Sequence, residues 1–205
     1  YVWLDDDNSY DLILWSMLHN LKHGVTTSTH AGPFPYAGYR AAEFSKTRMV
    51  IHPLMVTSVH LSNNLDEKGY LKETEEVIKN YNNSLDGLVS VGVHASWPWN
   101  CTQNLLVKGM ELAHKYDVQF TTHLFEAPDE VKRANTLWAD QGGAIQYLDN
   151  LGLITDRSLF FHAANLNEKE IDLFAVRGAS IVHNPECNAG AWNRSVAYVP
   201  YYLDA

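Results

Sequence analysis

The chain has 205 residues, 46% of them hydrophobic and 19% charged, which suits one folded domain with a substantial core and not a disordered chain. A formal net charge of −9 disfavours nonspecific binding to nucleic acid or anionic membrane, since both need a basic surface. Two cysteines, Cys101 and Cys187, make no disulfide framework, no segment is apolar for the length of a bilayer span, and no signal peptide is visible; a reducing, cytoplasmic setting is expected.

In chain order, Asp5 to His23 reads as a helix, with apolar residues from Tyr10 to Leu21 near a 3.6 period, a cap at Asn8 or Ser9 and a terminal Gly24. Val25 to Thr29 is a β-branched strand ending in His30, followed by a Gly/Pro loop and a helix from about Tyr36 to Lys46. Arg48 to Val56 is a buried-type strand that leads into a loop through Asn64, and Tyr70 to Tyr81 an amphipathic helix. Leu88 to His94 is a strand, Thr102 to Tyr116 a helix, and Val118 to Leu124 a strand. Helices over Glu130 to Ala139 and Ala144 to Leu151 precede a strand at Ser158 to Ala163. A helix from about Asn167 to Arg177, a strand at Ala179 to His183 and a last helix beginning near Ser195 or Val199 complete the pattern.

Six apolar strands alternating with helices predict an α/β fold with a parallel sheet covered on both faces. No Gly-x-Gly-x-x-Gly follows the first strand, which disfavours a dinucleotide-binding doubly wound sheet. His30, His52, His94, His123, His162 and His183 all fall in or at the end of a strand. In a (β/α)8 barrel such positions converge on one pocket. The expected fold is therefore an incomplete (β/α)8 TIM barrel with about six parallel strands. The chain starts at Tyr1 without a methionine and ends within a predicted helix, so a piece of a longer protein is expected.

Thr121-Thr122-His123-Leu124-Phe125-Glu126 has the most chemical content. An imidazole at a strand end can ligate a metal, and a carboxylate three residues on can move protons for a metal-activated water. His52 precedes Pro53 and also fits a core role, and His30 opens a loop and could line the mouth of a site. His19, His23, His60 and His114 read as surface or packing residues.

Val93-His94-Ala95-Ser96, Thr121 to Glu126, Phe160-Phe161-His162-Ala163-Ala164-Asn165-Leu166 and Val182-His183-Asn184-Pro185-Glu186-Cys187-Asn188 follow one another with helix-sized gaps. The ordered set resembles the amidohydrolase superfamily, in its branch of cytosine, guanine and methylthioadenosine/S-adenosylhomocysteine deaminases and triazine chlorohydrolases. Leu21 to Thr27, Tyr147 to Leu153 and Asn167 to Ala179 resemble framework segments of that branch. The resemblance implies strands two to seven of a single metal-dependent hydrolase barrel over 1–205, with the first and eighth strands and a flanking small β domain missing. It implies His123 as a metal ligand, Glu126 as proton shuttle, His162 as a catalytic hydrogen-bonding group to the attacking water, and His94, His183 and Asn184 as substrate-facing residues.

The departures matter too. The family's first-strand His-x-His occurs nowhere in the chain, and its eighth-strand Asp has no counterpart. One histidine cannot hold a divalent ion tightly, so the 205 residues alone are expected to be inactive and to bind zinc or iron poorly. Asn165 stands at the second histidine of the family's sixth-strand His-x-x-His, where tuning of activity is expected. Trp97, Trp99 and Phe125 either stack on a flat ring or pack the barrel mouth. No Arg lies between Arg48 and Arg133, which tilts the expectation away from an S-adenosylhomocysteine-type substrate and toward a neutral purine, pyrimidine, pterin or triazine. The expected partner is that small heterocycle, with a homodimer left open. The alternatives are a non-catalytic binding or structural barrel, a ring-amide hydrolase and a dechlorinase.

Overall fold

The computed structural model describes residues 5–57, 65–190 and 195–205; His60 and the end of the predicted Asn64 loop lie outside them. Helix α1 (Asp6–Lys22) is capped not by Asn8 or Ser9 but by Asp5, whose carboxylate accepts from the Asn8 N–H at 2.8 Å. That choice also places acidic Asp6 and Asp7 in the first turn, against the helix dipole. Strand β1 (Thr27–Gly32) lies two residues later than its β-branched run suggested, and leads through α2 (Pro35–Ser45) to β2 (Arg48–Met55). Helix α3 (Glu67–Tyr81) begins three residues early because Asp66 caps it, accepting from Gly69 N at 2.7 Å. After the four-residue α4 (Ser84–Gly87) come β3 (Val89–Val91), β4 (Val93–Ala95), α5 (Gln103–Tyr116) and β5 (Phe120–Leu124). Helices α6 (Pro128–Leu137) and α7 (Ala144–Asn150), then β6 (Ser158–His162), α8 (Glu168–Arg177), β7 (Ser180–Val182), α9 (Pro185–Ala189) and α10 (Val199–Asp204) follow.

Every strand pair is parallel, and the sheet order β1-β2-β4-β5-β6-β7, with β3 also on β2, follows the chain. A doubly wound sheet reverses its order at a switch point; a sheet that never reverses winds one way, as a barrel does. The six strand positions form a curled half-barrel. The predicted single strand at 88–94 is two segments in one register, since Met49 to Ile51 pair with Val89 to Val91 and Leu54 and Met55 with His94 and Ala95. The break falls at Gly92, which lies opposite His52.

The period-2 alternation of the strands separates two faces. The outer face is apolar and lies under the helices: Gly109 of α5 approaches Met55, Val93 and Phe120, and the Phe160 ring packs at a tilt against Phe174 of α8, centroids 4.7 Å apart. His30 belongs to this face. Its ring lies against Gly38 of α2 beside Ile51 and bonds the backbone of Phe34, so it closes the β1–α2 turn and does not line the mouth. The inner face carries His52, His94 and His123 around Phe161, with ring centroids 6.3, 5.7 and 5.1 Å from it.

Gly92 is where the inner face needs a missing side chain. An added Cβ would sit 2.5 Å from His52 Cδ2 and 2.9 Å from the Gln119 carbonyl oxygen. Gly92→Ala should therefore destabilise by about 1–3 kcal/mol through overpacking. His52→Ala in the same background should restore part of the loss, as read from denaturant midpoints.

Candidate active site

Two backbone features aim the side chains at the carboxyl ends of β5 and β6. Leu124 pairs with His162, and alternation would send His162 outward with Phe160. Instead His162 and Ala163 take left-handed φ values of 69° and 46°, and the His162 ring lies 5.5 Å from that of His123. Phe125, just past β5, has φ 47°. Such strain in non-glycine residues persists only where neighbours hold it. Here they do: Asn165 Nδ2 donates to the Phe125 carbonyl at 2.8 Å, Asn188 Nδ2 to the Glu126 carbonyl at 3.1 Å, and the Glu126 N–H donates to Glu130 at 2.8 Å. The Glu126 backbone is thus gripped from three sides, and its carboxylate lies 3.7 Å from His162 Nε2.

The hydrogen bonds also fix tautomers. Because Asn188 turns its Nδ2 to the Glu126 carbonyl, its Oδ1 faces His162 Nδ1 at 3.2 Å. That oxygen can only accept, so Nδ1 carries the proton and Nε2 presents a lone pair toward Glu126 when the ring is neutral. The same logic holds for His94. The Thr121 hydroxyl donates to the Val93 carbonyl at 3.1 Å, so its oxygen accepts from His94 Nδ1 at 2.9 Å. Thr29 repeats the device, bonding the Val50 carbonyl and His52 Nδ1. His52 and His94 are therefore held with Nε2 as acceptor, and both Nε2 atoms are buried with no hydrogen-bond partner among the described residues.

His123 stacks on Trp97 with centroids 4.6 Å apart and planes 27° from parallel, and its Nδ1 is likewise buried and unpartnered, as is Trp97 Nε1. Burial, and then the neighbouring His162, push the His123 pKa down to about 4; burial and then His30 push His52 to about 3. Burial drives His94 well below the usual imidazole range, with His123 adding to it. These rings are neutral at physiological pH, with lone pairs available to a cation or an N–H donor.

Of the residues singled out in the sequence, His94, Trp97, His123, Glu126 and His162 come together. His183 and Asn184 do not join them. His183 shares the outer side of β7 with Ile181, in a cleft with Phe174 of α8 and Tyr202 of α10, and Asn184 opens α9. Phe125 is fully buried in the core beneath Glu126, so it packs and does not stack on a ligand; Trp99 also packs against the core. His19, His23 and His114 are exposed, as expected. Asn188 was missed. It lies in the quoted His183 to Asn188 motif, and its signal was the Asn-Pro start of a short helix, which turns the fourth residue back toward the strand ends.

A model of the amidohydrolase family matches residues 2–190. The chain belongs to that family. Among similar proteins, the 5'-deoxyadenosine deaminase of Methanosphaera stadtmanae is 28% identical over 92% of this chain and 44% of its own length. The 5-methylthioadenosine/S-adenosylhomocysteine deaminase of Desulforamulus reducens is 30% identical over 58% of this chain and 27% of its length. An adenosine deaminase from Xanthomonas campestris with bound zinc superposes with a TM-score of 0.89 at 21% identity, over 98% of this chain and 44% of that one. E. coli guanine deaminase does so at 0.84 and 20%, over 98% and 48%. This amidohydrolase chain spans less than half the length of these relatives.

Two outcomes follow from the site's geometry. Unfolded imidazoles take up protons near 6.5, whereas folded His30, His52 and His123 resist until about 4, 3 and 4. The unfolded chain then binds more protons, so stability falls as pH drops from 6.5 toward 4; denaturant midpoints across that range should show the loss, and His52→Gln should lessen it. Asn188→Ala should cost about 1–3 kcal/mol by orphaning buried partners. In heteronuclear NMR, His162 should then no longer hold a single Nδ1-protonated tautomer.

Proposed function

We propose that the protein carrying this chain is a metal-dependent aminohydrolase that deaminates a neutral heteroaromatic ring with water. The observation that carries this reading is the juxtaposition of the Glu126 carboxylate, the lone pair of His162 Nε2 at 3.7 Å and the buried, unpartnered Nδ1 of His123. A barrel with a purely structural role gains nothing from buried, unpartnered ring nitrogens at His52, His94 and His123, since each costs about 1–3 kcal/mol of desolvation.

The residues fit a divalent ion, zinc or iron, at one position. His123 is neutral and offers a buried nitrogen that nothing else satisfies. With no His-x-His in the sequence, His123 supplies one ligand, and the 205 residues alone should bind metal weakly and be inactive. When bound, such an ion supplies a nucleophile at neutral pH by acidifying water. Glu126 accepts one proton of the attacking water and delivers it to the ring nitrogen as the C–O bond forms; the second water proton passes from the hydroxyl of the tetrahedral adduct to the amine, the C–N bond breaks, a carbonyl forms and ammonia leaves. His162, its Nδ1 tied to Asn188, orients the attacking water through Nε2. His94 Nε2 accepts from a ring or exocyclic N–H, and Trp97 donates its indole N–H while holding His123 in place. His183 and Asn184 would contribute only at the outer rim of β7.

A purine is the favoured ring. The family relatives include a 5'-deoxyadenosine deaminase, whose substrate carries no carboxylate, in keeping with the stretch without arginine between Arg48 and Arg133. An atrazine chlorohydrolase from Arthrobacter aurescens, complexed with zinc, shares the fold at TM-score 0.80 and 21% identity over 95% of this chain and 46% of its own, so dechlorination is the rival within the same architecture.

The full-length protein loaded with zinc or iron should release ammonia, and not chloride, from a panel of aminated and chlorinated heterocycles. Glu126→Gln should lower turnover by about a hundredfold to ten-thousandfold while the first equivalent of metal, measured by elemental analysis of protein loaded without excess, stays bound. Retained turnover would remove Glu126 from its assigned role. His123→Ala should lose the metal itself.

A further inference from the structure

Beyond the ion that His123 would hold, Glu126, His162 and Cys187 offer a second set of ligand atoms. One oxygen, one nitrogen and one sulfur lie within 4.8 Å of one another. His162 Nε2 is 3.7 Å from Glu126 Oε2, and Cys187 Sγ is 3.8 Å from Glu126 Oε1. The two distances run to the two oxygens of one carboxylate, and with one ligand atom from each residue the set stays within 4.8 Å, so small side-chain rotations would close it on a zinc-sized ion, whose bonds to nitrogen, oxygen and sulfur run about 2.0–2.3 Å. The separation is also too long for a direct hydrogen bond between carboxylate and imidazole.

The tautomer sharpens the case. Asn188 holds the proton of His162 on Nδ1, so the neutral ring turns a lone pair toward a carboxylate. Asn188 is fully buried, and its bond to the far ring nitrogen is the outer support that metal-bound histidines need. Cys187 is exposed on α9, so an ion can reach the group from solvent.

We propose that Glu126, His162 and Cys187 form a second metal site, selective for thiophilic divalent ions such as zinc and cadmium, whose occupation blocks the proton shuttle. The thiol gives up its proton to solvent and the sulfur takes one coordination position. Glu126 is then engaged as a ligand and cannot carry a proton, and His162 cannot orient water. The inhibitory consequence rests on the function proposed above; the site itself does not.

The test uses the full-length protein already holding its first equivalent of metal, titrated with cobalt(II) and followed by absorption and equilibrium dialysis. A second equivalent should bind and bring a thiolate-to-cobalt charge-transfer band. Cys187→Ser should abolish the band and the second equivalent while the first stays bound, and Cys101→Ser should change neither. Glu126→Gln should weaken the second equivalent at least tenfold. With a turned-over substrate, excess zinc should inhibit the wild type and spare Cys187→Ser relative to its own zinc-free rate. Absence of a second equivalent, or a band that survives Cys187→Ser, would overturn the site. Because binding is read by spectroscopy, it is decided even where no substrate is turned over, and turnover that excess zinc leaves untouched overturns the block while leaving the proposed function standing.

Discussion

The turn at Phe125–Glu126 is the constraint on which the site depends. A strand delivers side chains to one face only at every second residue, so β5 alone can present Thr121 and His123 inward and nothing beyond them. To bring a carboxylate to the same place three residues on, the chain must leave the strand sharply. Phe125 does this at φ 47°, a conformation costing of order 1–3 kcal/mol for a side chain of its size. The neighbouring elements hold that cost in place. Phe125 is buried in the core, Asn165 from the β6 end takes its carbonyl, Asn188 from α9 takes that of Glu126, and Glu130 from α6 takes the Glu126 N–H. Two elements distant in sequence and the helix that follows at once therefore converge on two successive peptides, and left-handed backbone at His162 and Ala163 places the partner imidazole.

The clamp is polar and the surface around it is not, and this contrast sets the electrostatics. Asn188 and Thr121 are fully buried, and each spends its oxygen on an imidazole Nδ1. A threonine hydroxyl that donates to a backbone carbonyl can only accept from the ring, so it selects one tautomer without a charge. Burial then keeps His94 and His123 neutral. A charged partner such as a carboxylate at Nδ1 would have raised these pKa values and filled the lone pairs with protons. The use of hydroxyl and amide partners is what leaves buried nitrogens available as acceptors at neutral pH.

Most of the architecture was legible in the sequence, because strand alternation and helix periodicity are local. The six strand positions and their order followed from apolar runs and their helix-sized spacing, and the prominence of His94, His123 and His162 from the motifs that carry the family resemblance. The strand broken at Gly92 did not, because its cause is a ring on a different strand: His52 lies over that position. His30 was misplaced for a related reason. Its position at a strand end was visible, but which face it takes depends on pairing, and His30 pairs with Ile51, which faces α2. His183 shows the same limit, since alternation with Ile181 puts it behind β7. Asn188 and Cys187 carried no periodic signal at all; they reach the site only because five residues of helix fold back over the strand ends.

The two kinds of positioning differ in what they tolerate. His94 and His123 occupy places that any inward strand position offers, and their settings follow from pleat and register. Glu126 and His162 occupy places that the pleat forbids, reached through left-handed residues and held by asparagine amides. Burial keeps both rings of the first pair neutral. The second pair sits 3.7 Å apart beside the half-exposed end of the barrel, where solvent and a thiol also have access. The departures from regular strand geometry at β5 and β6 are the means by which this fold sets a carboxylate and an imidazole face to face at the strand ends, beside an interior lined with unpartnered ring nitrogens.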